Sequence, residues 1–225
     1  LLARALDPWI DTIHPFGVTR ADEELGWLAA ALDHSAYEAQ WHIPSFTAFS
    51  ETRDPTPLYR EFTRMLRTDA NWHGNAHRPR VLKVPQFSED LPALLGQFPG
   101  ARVVRTQRCA NDTAASAASL VANQMAMQSD TVDYSWIEAE VARKIALREE
   151  RMDRALAAFS GPLTTVDFDA LNHDWEAEVR RVYEDLSLPL TTEALQAMRG
   201  EQGRAQHSPH TAHSRQMHRF SETTA

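Results

Sequence analysis

Short β-branched runs alternate with helical segments between residues 80 and 186, and this alternation limits the fold more than any other feature of the sequence. The runs are RVLKV at 80–84, VV at 103–104 and LTTVDF at 163–168. In the segments that follow these runs, apolar residues recur every three or four positions. Strands that alternate with helices of this length form parallel sheets, because each helix carries the chain back to the end where the next strand begins. The sequence therefore predicts an α/β fold with a parallel sheet flanked by helices.

The segment after the second run is the strongest candidate for a binding site. Arg108 follows the predicted strand end, and Ser116 lies eight residues later in an alanine- and serine-rich helical segment. We expect Asn111 or Asp112 to cap this helix, because a short side-chain oxygen accepts hydrogen bonds from the free amides of the first turn. An arginine, a hydroxyl and a helix N-terminus that meet at one point favour an anion pocket. The alternative is a surface ion pair and a serine bonded to its own helix backbone.

The domain organisation follows from a change in pattern near residue 80. Residues 1–79 are predicted to be almost wholly helical, with apolar stripes from Leu2 to Ile10 and again after Asp22. We interpret them as a helical segment of the same domain as an α/β core at 80–203, with a polar, His-rich tail at 204–225. The first residues already show helical periodicity and contain no Met, so we predict that an N-terminal portion is missing.

The composition excludes several classes of function. A net charge of −8 and a pI of about 5.7 argue against a protein that neutralises many nucleic-acid phosphates. Cys109 is the only cysteine, which excludes an intrachain disulfide and fits a reducing, cytoplasmic compartment. No apolar run approaches the roughly 20 residues that span a bilayer, and no signal-peptide pattern opens the chain.

The tail contains a histidine series that invites comparison with a metal site, because imidazole is a common metal ligand. Its members are His207, His210 and His213, but Pro209 interrupts them and no carboxylate or cysteine joins them. We therefore predict no metal site.

Two segments taken together resemble a known family. They are VLKVPQFSEDLPALLGQFPGARVV at 81–104 and RCANDTAASAASLVAN at 108–123. Both are similar to the sulfotransferases that use 3′-phosphoadenosine 5′-phosphosulfate (PAPS), especially the broad bacterial and membrane-associated branch. WHIPSF at 41–46, YREFTRMLR at 59–67 and the segment at 168–191 are similar too, so the resemblance covers most of residues 35–199.

The resemblance implies a P-loop-like α/β fold in which PAPS lies along the carboxyl edge of the sheet. The residues that match the family's 3′-phosphate contacts are Arg108 and Ser116, and Ser119 can supplement them. Lys83 matches the family's lysine, whose charge suits the transferring sulfuryl oxygens. The alternative for Lys83 is a side chain that extends from a strand end into solvent.

Three departures from the family pattern concern the rest of the donor site. The family's first strand and its 5′-phosphosulfate loop have no counterpart in this sequence. Many relatives have Asp-Pro after the arginine, where this chain has Cys109-Ala110. Many also have a histidine soon after the lysine, where this chain has PQF at 85–87. His42 can instead accept the proton of an acceptor hydroxyl, since imidazole titrates near neutrality; the alternative is a histidine packed beside a tryptophan.

The resemblance implies sulfuryl transfer from PAPS to a hydroxyl or amine of a small-molecule, lipid or glycan acceptor, with PAP as the product. Residues 1–79 would then cap the acceptor side. A second hypothesis is a non-catalytic or truncated relative that acts as a nucleotide-binding or interaction module. A P-loop kinase is a third, although the chain has no Gly-Lys-[Ser/Thr] segment. The sequence indicates neither the acceptor nor the oligomeric state.

Overall fold

A computed structural model of the chain describes residues 22–206. Within that range the chain forms nine α-helices, two β-strands and a short 3₁₀ helix at Ser35–Tyr37. In chain order the elements are α1 Leu25–Ala30, α2 Pro44–Thr52, α3 Thr56–Trp72, α4 Phe87–Gln97, β1 Val103–Gln107, α5 Ala110–Ala126, α6 Tyr134–Ala157, β2 Leu163–Asp167, α7 Phe168–His173, α8 Trp175–Asp185 and α9 Thr192–Gln206. The predicted stripe from Leu2 to Ile10 and the tail residues 207–225 lie outside the described residues.

The described residues form two compact units. The first, which we call the helical unit, consists of residues 22–101 and 133–159. The second, which we call the sheet unit, consists of residues 102–132 and 160–206. Each unit is therefore assembled from segments that are distant in sequence.

A parallel pair of strands forms the centre of the sheet unit. Strands β1 and β2 run in register from Val103 opposite Leu163 to Gln107 opposite Asp167, so both strands end at the same edge. Helix α8 packs against β2, where Arg181 donates a hydrogen bond of 2.7 Å to the Thr165 carbonyl oxygen. The predicted α/β fold with a parallel sheet is thus confirmed, and within residues 22–206 the sheet has two strands.

The core of the helical unit is built around α3. Leu58, Phe62 and Leu66 recur every four residues, which places them on one face of the helix, and all three are buried. They pack with apolar side chains from α1, α4 and α6, including Leu28, Phe87, Leu91, Leu94 and Ala155. Aromatic contacts reinforce this core, as between Phe62 and Phe87, whose ring centroids are 5.8 Å apart.

Helix α4 contains a kink beside two buried carboxylates. Asp90 has non-helical torsion angles of φ −108° and ψ 15°, and Pro92 follows two residues later. Proline inside a helix lacks the amide donor and clashes with the preceding turn, which accounts for the break. Glu89 and Asp90 are both buried at this kink.

Glu89 belongs to a buried ionic cluster around Lys144, which we call the lysine cluster. The Lys144 ammonium lies 2.8 Å from Glu38, 2.7 Å from Glu89 and 3.2 Å from Glu51. Arg148 adds a second cation, 2.8 Å from Glu89. Every carboxylate in this cluster thus has a cationic partner, as buried charges require.

Asp90 belongs to a second cluster around Arg53, which we call the arginine cluster. Arg53 forms a two-pronged ion pair with Asp33 and a further contact of 2.8 Å with Asp90. The Tyr59 hydroxyl donates to the same Asp90 carboxylate at 3.3 Å, and Gln86 donates to Asp33 at 3.2 Å. These contacts tie the chain before α2, the end of α2, α3 and α4 together.

Some predicted elements differ in the structure. The predicted strand at 80–84 is wrong, because these residues have no regular secondary structure and Val81 is 91% exposed. An extended segment becomes a strand only when another strand bonds its backbone, and the part of the chain from 22 to 206 provides none there. The short helix α7 was not predicted, and α9 extends past Gly203 to Gln206.

None of the helices described between residues 22 and 206 is long and apolar enough to cross a lipid bilayer.

Candidate functional site

The carboxyl edge of the strand pair brings Arg108 next to Phe168. Because Gln107 is paired with Asp167, the residues that follow the two strands emerge side by side. The guanidinium carbon of Arg108 lies 4.6 Å from the centroid of the Phe168 ring, which is a cation–π contact. Arg108 is exposed and forms no ion pair or hydrogen bond with another residue of the described part of the chain. Its guanidinium N–H groups thus have no acceptor among residues 22–206.

The N-terminus of α5 begins two residues later and lacks a side-chain cap. Cys109 occupies the capping position, and its side chain makes no hydrogen bond to the first turn. The predicted cap at Asn111 or Asp112 is wrong, because both residues lie inside the first helical turn. The partial positive charge of the helix start is offset by the Asp112 carboxylate, while the backbone amides stay without a side-chain cap.

Two serines follow on the same helix. Ser116 and Ser119 are three residues apart, so they lie on neighbouring positions of one face of α5. Ser116 is half-buried, and the Ser119 hydroxyl is buried without a hydrogen-bond partner among residues 22–206. A buried hydroxyl without a partner is uncommon, since it costs about 1–3 kcal/mol of desolvation. The structure thus places Arg108, Ser116 and Ser119 in the same unit, on the strand end and helix that the sequence predicted.

Phe168 is a candidate site residue that the sequence reasoning missed. Its position in the sequence could have indicated it, because Phe168 directly follows the run LTTVD in the same way that Arg108 directly follows VVRTQ. Only the in-register pairing of the two strands makes these positions equivalent.

Lys83 lies in the helical unit and is paired with carboxylates. Its ammonium forms an ion pair with Glu23, while 73% of the side chain is exposed. Its backbone amide donates a hydrogen bond of 2.7 Å to Glu24. Burial raises the pKa of Glu24 above its usual value, although the hydrogen bond from Lys83 opposes this rise. Lys83 therefore occupies an acidic surrounding, and the strand end predicted to carry it is absent.

His42 also belongs to the helical unit, and its ring is stacked on Trp136. The two ring centroids are 3.7 Å apart with an interplanar angle of 24°, whereas the adjacent Trp41 packs against Tyr37. The backbone of His42 has φ 47°, in the left-handed region that non-glycine residues seldom adopt. Stacking on Trp136 thus orients an exposed imidazole, which is carried on a strained backbone.

The predicted site residues therefore fall into two groups. Arg108, Ser116 and Ser119 belong to the sheet unit, whereas Lys83 and His42 belong to the helical unit. Within the helical unit Lys83 and His42 contact different partners.

No group of three or more histidine, cysteine, aspartate or glutamate side chains between residues 22 and 206 is arranged to hold a metal ion. The histidines at 207, 210 and 213 lie outside the described residues.

Comparisons with known proteins identify what this arrangement is similar to. The model of the sulfotransferase family matches residues 2–193. A crystal structure of a sulfotransferase from Mycobacterium tuberculosis superimposes with a TM-score of 0.78 and 28% sequence identity. The match covers 88% of this chain and 54% of the mycobacterial chain, so this chain spans about half the length of that protein. No match was found among curated proteins.

Proposed function

The chain belongs to the sulfotransferase family, and from this premise we propose that it transfers a sulfuryl group from PAPS to a hydroxyl or amine of an acceptor. The acceptor is a small molecule, a lipid or a glycan. The observation that carries the proposal is the carboxyl edge of the strand pair, where Arg108 stands without an anionic partner among the described residues beside an uncapped helix start.

In this proposal Arg108 binds the 3′-phosphate of the donor. A guanidinium donates two parallel hydrogen bonds to phosphate oxygens, and the contact with Phe168 holds its plane in place. The uncapped amides at the start of α5 supply further donors, although the Asp112 carboxylate in the first turn offsets the helix dipole there. Phosphate binding therefore uses groups that the fold leaves unsatisfied.

Ser116 and Ser119 extend this phosphate site along α5. Each hydroxyl supplies one donor, and the unpartnered Ser119 hydroxyl gains a partner when it bonds to a phosphate or to a bridging water. Binding then offsets a desolvation cost that the ligand-free fold already carries.

Lys83 is proposed to contact the sulfuryl group during transfer. For this it must leave Glu23, and because the Lys83 side chain is 73% exposed and that of Glu23 is 18% exposed, solvent screens the ion pair in part and the exchange costs on the order of 1 kcal/mol. The ammonium then neutralises the negative charge that gathers on the sulfuryl oxygens and on the leaving phosphate.

His42 is proposed as the general base. The acceptor oxygen attacks sulfur as the bond from sulfur to the phosphate oxygen of PAPS breaks, and PAP leaves with that electron pair. The acceptor proton passes to the imidazole of His42, which the stacked Trp136 ring orients. Sulfuryl transfer follows the same in-line logic as phosphoryl transfer, so positioning and charge neutralisation provide most of the rate enhancement.

Titration calorimetry with two nucleotides tests the phosphate assignment. PAP carries a 3′-phosphate and adenosine 5′-phosphate does not, so Arg108→Ala should weaken PAP binding by about 2 kcal/mol, or roughly 30-fold, with little effect on adenosine 5′-phosphate. Arg180→Ala is the matched control, because it removes an exposed arginine of the sheet unit while its partner Glu176 keeps Arg199. Equal effects on both nucleotides, or no effect on PAP, would contradict the assignment.

A second candidate is a relative that binds nucleotide without catalysis. The pairing of Lys83 with Glu23 favours it, because a lysine that stays bound to a carboxylate does not neutralise a sulfuryl group. The two candidates differ in turnover. PAP binding combined with no consumption of PAPS across phenols, aliphatic alcohols, amines and oligosaccharides would support the non-catalytic relative.

A further inference from the structure

The exposed face of α3 carries a row of arginines beside an open groove. Arg60, Arg64 and Arg67 are spaced by four and three residues, so all three lie on one side of the helix. They line a cavity of about 380 Å³ in the helical unit. We call it the arginine groove; its principal lining residues are Arg60, Arg64, Arg67, Thr68, Asn71 and Gln97.

Two of these arginines lack an ion pair within the described residues: Arg67 has no carboxylate partner there, and Arg60 has only the electrostatic influence of the exposed Asp54. Arg64 forms an ion pair with Glu61, which also lines the groove. Arg60 and Arg67 form no ion pair or hydrogen bond with any other residue between 22 and 206. Other exposed arginines in this acidic chain do pair with carboxylates, for example Arg154, Arg180, Arg199 and Arg204. The groove therefore has a local excess of positive charge in a chain whose net charge is −8.

The other groups in the groove are also polar. The side-chain amides of Asn71 and Gln97 provide N–H donors that are not bonded to another residue of the described range. The Thr68 hydroxyl donates to the Arg64 carbonyl oxygen at 3.0 Å and is exposed. A lining of guanidinium and amide donors suits an anion with several oxygens and offers little to an apolar ligand.

The spacing of the arginines gives a physical reason for a bound anion. Like charges three or four residues apart repel one another on a helix. Glu61 forms an ion pair with only one of the three arginines, and the exposed Asp54 acts on Arg60 without forming an ion pair. Arg60 and Arg67 are separated by seven residues, or about 10 Å along the helix axis. A phosphate or sulfate group between them would relieve the repulsion and accept hydrogen bonds from both.

We propose that the arginine groove binds a phosphate or sulfate group of a ligand other than the nucleotide donor. The groove residues all belong to the helical unit, whereas Arg108 and Ser116, to which the donor phosphate is assigned, belong to the sheet unit. The anion comes from a soluble molecule or from a lipid headgroup, and both present the same oxygens.

The test compares a groove variant with a charge-matched control. Arg60→Ala/Arg67→Ala removes the two unpaired arginines, and Arg154→Ala/Arg204→Ala removes two exposed arginines elsewhere. Alanine is the best helix former, so both variants should keep their helices, as circular dichroism would show. All measurements use the full chain with Arg108→Ala added, so that the proposed nucleotide site does not take up the probe.

Two probes are used. Binding of inorganic pyrophosphate is measured by titration calorimetry, and binding to phosphatidylcholine vesicles with or without phosphatidic acid is measured by co-sedimentation. We expect the groove variant to bind the probes at least about tenfold more weakly than the parent chain, since each lost charged hydrogen bond costs that order of affinity. The control variant should bind as the parent chain does. Loss of pyrophosphate binding identifies a soluble source. Loss confined to phosphatidic acid vesicles identifies a lipid source.

Two results would overturn the proposal: no binding of either probe by the parent chain, or equal binding by the groove variant and the parent. PAP titration of the chain with native Arg108 keeps the two proposals separate. The groove substitutions should leave PAP affinity unchanged, so a chain that fails to bind PAP can still bind pyrophosphate in the groove.

Discussion

The lysine and arginine clusters of the helical unit contrast with the strand edge of the sheet unit. In the helical unit Lys144 and Arg53 are buried and surrounded by carboxylates. In the sheet unit Arg108 is exposed and contacts an aromatic ring, beside an uncapped helix start and an unpartnered serine hydroxyl. Charges that are fully paired in the interior hold elements together, whereas charges left unpaired at an edge are free to bind a ligand. The same types of residue therefore have different roles in the two regions.

The largest expected effect is on the lysine cluster. Lys144→Met leaves Glu38 and Glu89 buried with less positive charge, so the free energy of unfolding should fall by about 3–5 kcal/mol. Urea denaturation measures this change. Arg154→Met on the same helix removes an exposed partner of Glu150 and should cost less than about 1 kcal/mol. A loss below 1 kcal/mol for Lys144→Met would remove the contrast between the two regions.

The next largest effect is a pH dependence of the free energy of unfolding, which arises from Asp90 in the arginine cluster. Burial raises the pKa of Asp90 to about 6, and Arg53 opposes this rise only in part. The folded chain therefore takes up a proton that the unfolded chain releases, so this contribution to stability is complete below about pH 4 and is lost as pH rises through 6. Its size is about 3 kcal/mol.

Asp90→Asn removes the titrating group and should abolish that slope in urea denaturation between pH 4 and pH 6.5. Asp130→Asn changes an exposed aspartate and should leave it intact. A slope that survives in Asp90→Asn would assign the pH dependence to other carboxylates. The groups that face Asp90 are Arg53, Tyr59, Asp33 and the adjacent Glu89.

Arg108→Ala tests the opposite side of the comparison. It should weaken PAP binding by about 2 kcal/mol and change the free energy of unfolding by less than about 1 kcal/mol, since an exposed cation–π contact contributes roughly 0.5–1 kcal/mol. Calorimetry and urea denaturation on the same preparation give both values. A stability loss as large as that of Lys144→Met would make Arg108 a structural residue.

The smallest effect is expected for Ser119→Ala. The substitution removes a buried hydroxyl without a partner and replaces serine by a better helix former, so stability should rise by about 0.5–1 kcal/mol. PAP affinity should fall at the same time if the hydroxyl contacts the phosphate. A loss of stability would show that the hydroxyl has a partner in solution, such as an ordered water.

Much of the fold could be predicted because helical and strand periodicity are local properties. The apolar spacing in α3, α6 and α8 and the β-branched runs of β1 and β2 each lie within one segment, and all five elements form as expected. The run at 80–84 has the same local character, yet it is not a strand. Strand formation depends on a neighbouring backbone, and that is not a property of the run itself.

The candidate site was predicted only in part, for the same reason. Arg108 and Ser116 lie in one continuous segment, so their approximate relation to the start of α5 could be inferred from spacing. The capping residue was wrong by a few positions, because cap geometry depends on backbone angles at Cys109. Phe168 and the partner of Lys83 could not be inferred, because each contact joins segments about 60 residues apart.

The amino-acid sequence by itself determined the order of helices and strands, the position of an arginine and two serines at a strand-to-helix junction, and the likeness to sulfotransferases. The tertiary structure decided which charges are neutralised. Glu38, Glu89 and Lys144 meet in the interior although they come from three distant segments, whereas Arg60, Arg67 and Arg108 form no ion pair with a carboxylate among the described residues. The sequence shows which residues are charged, but the partners of each charge and its exposure to water are set only when the chain folds.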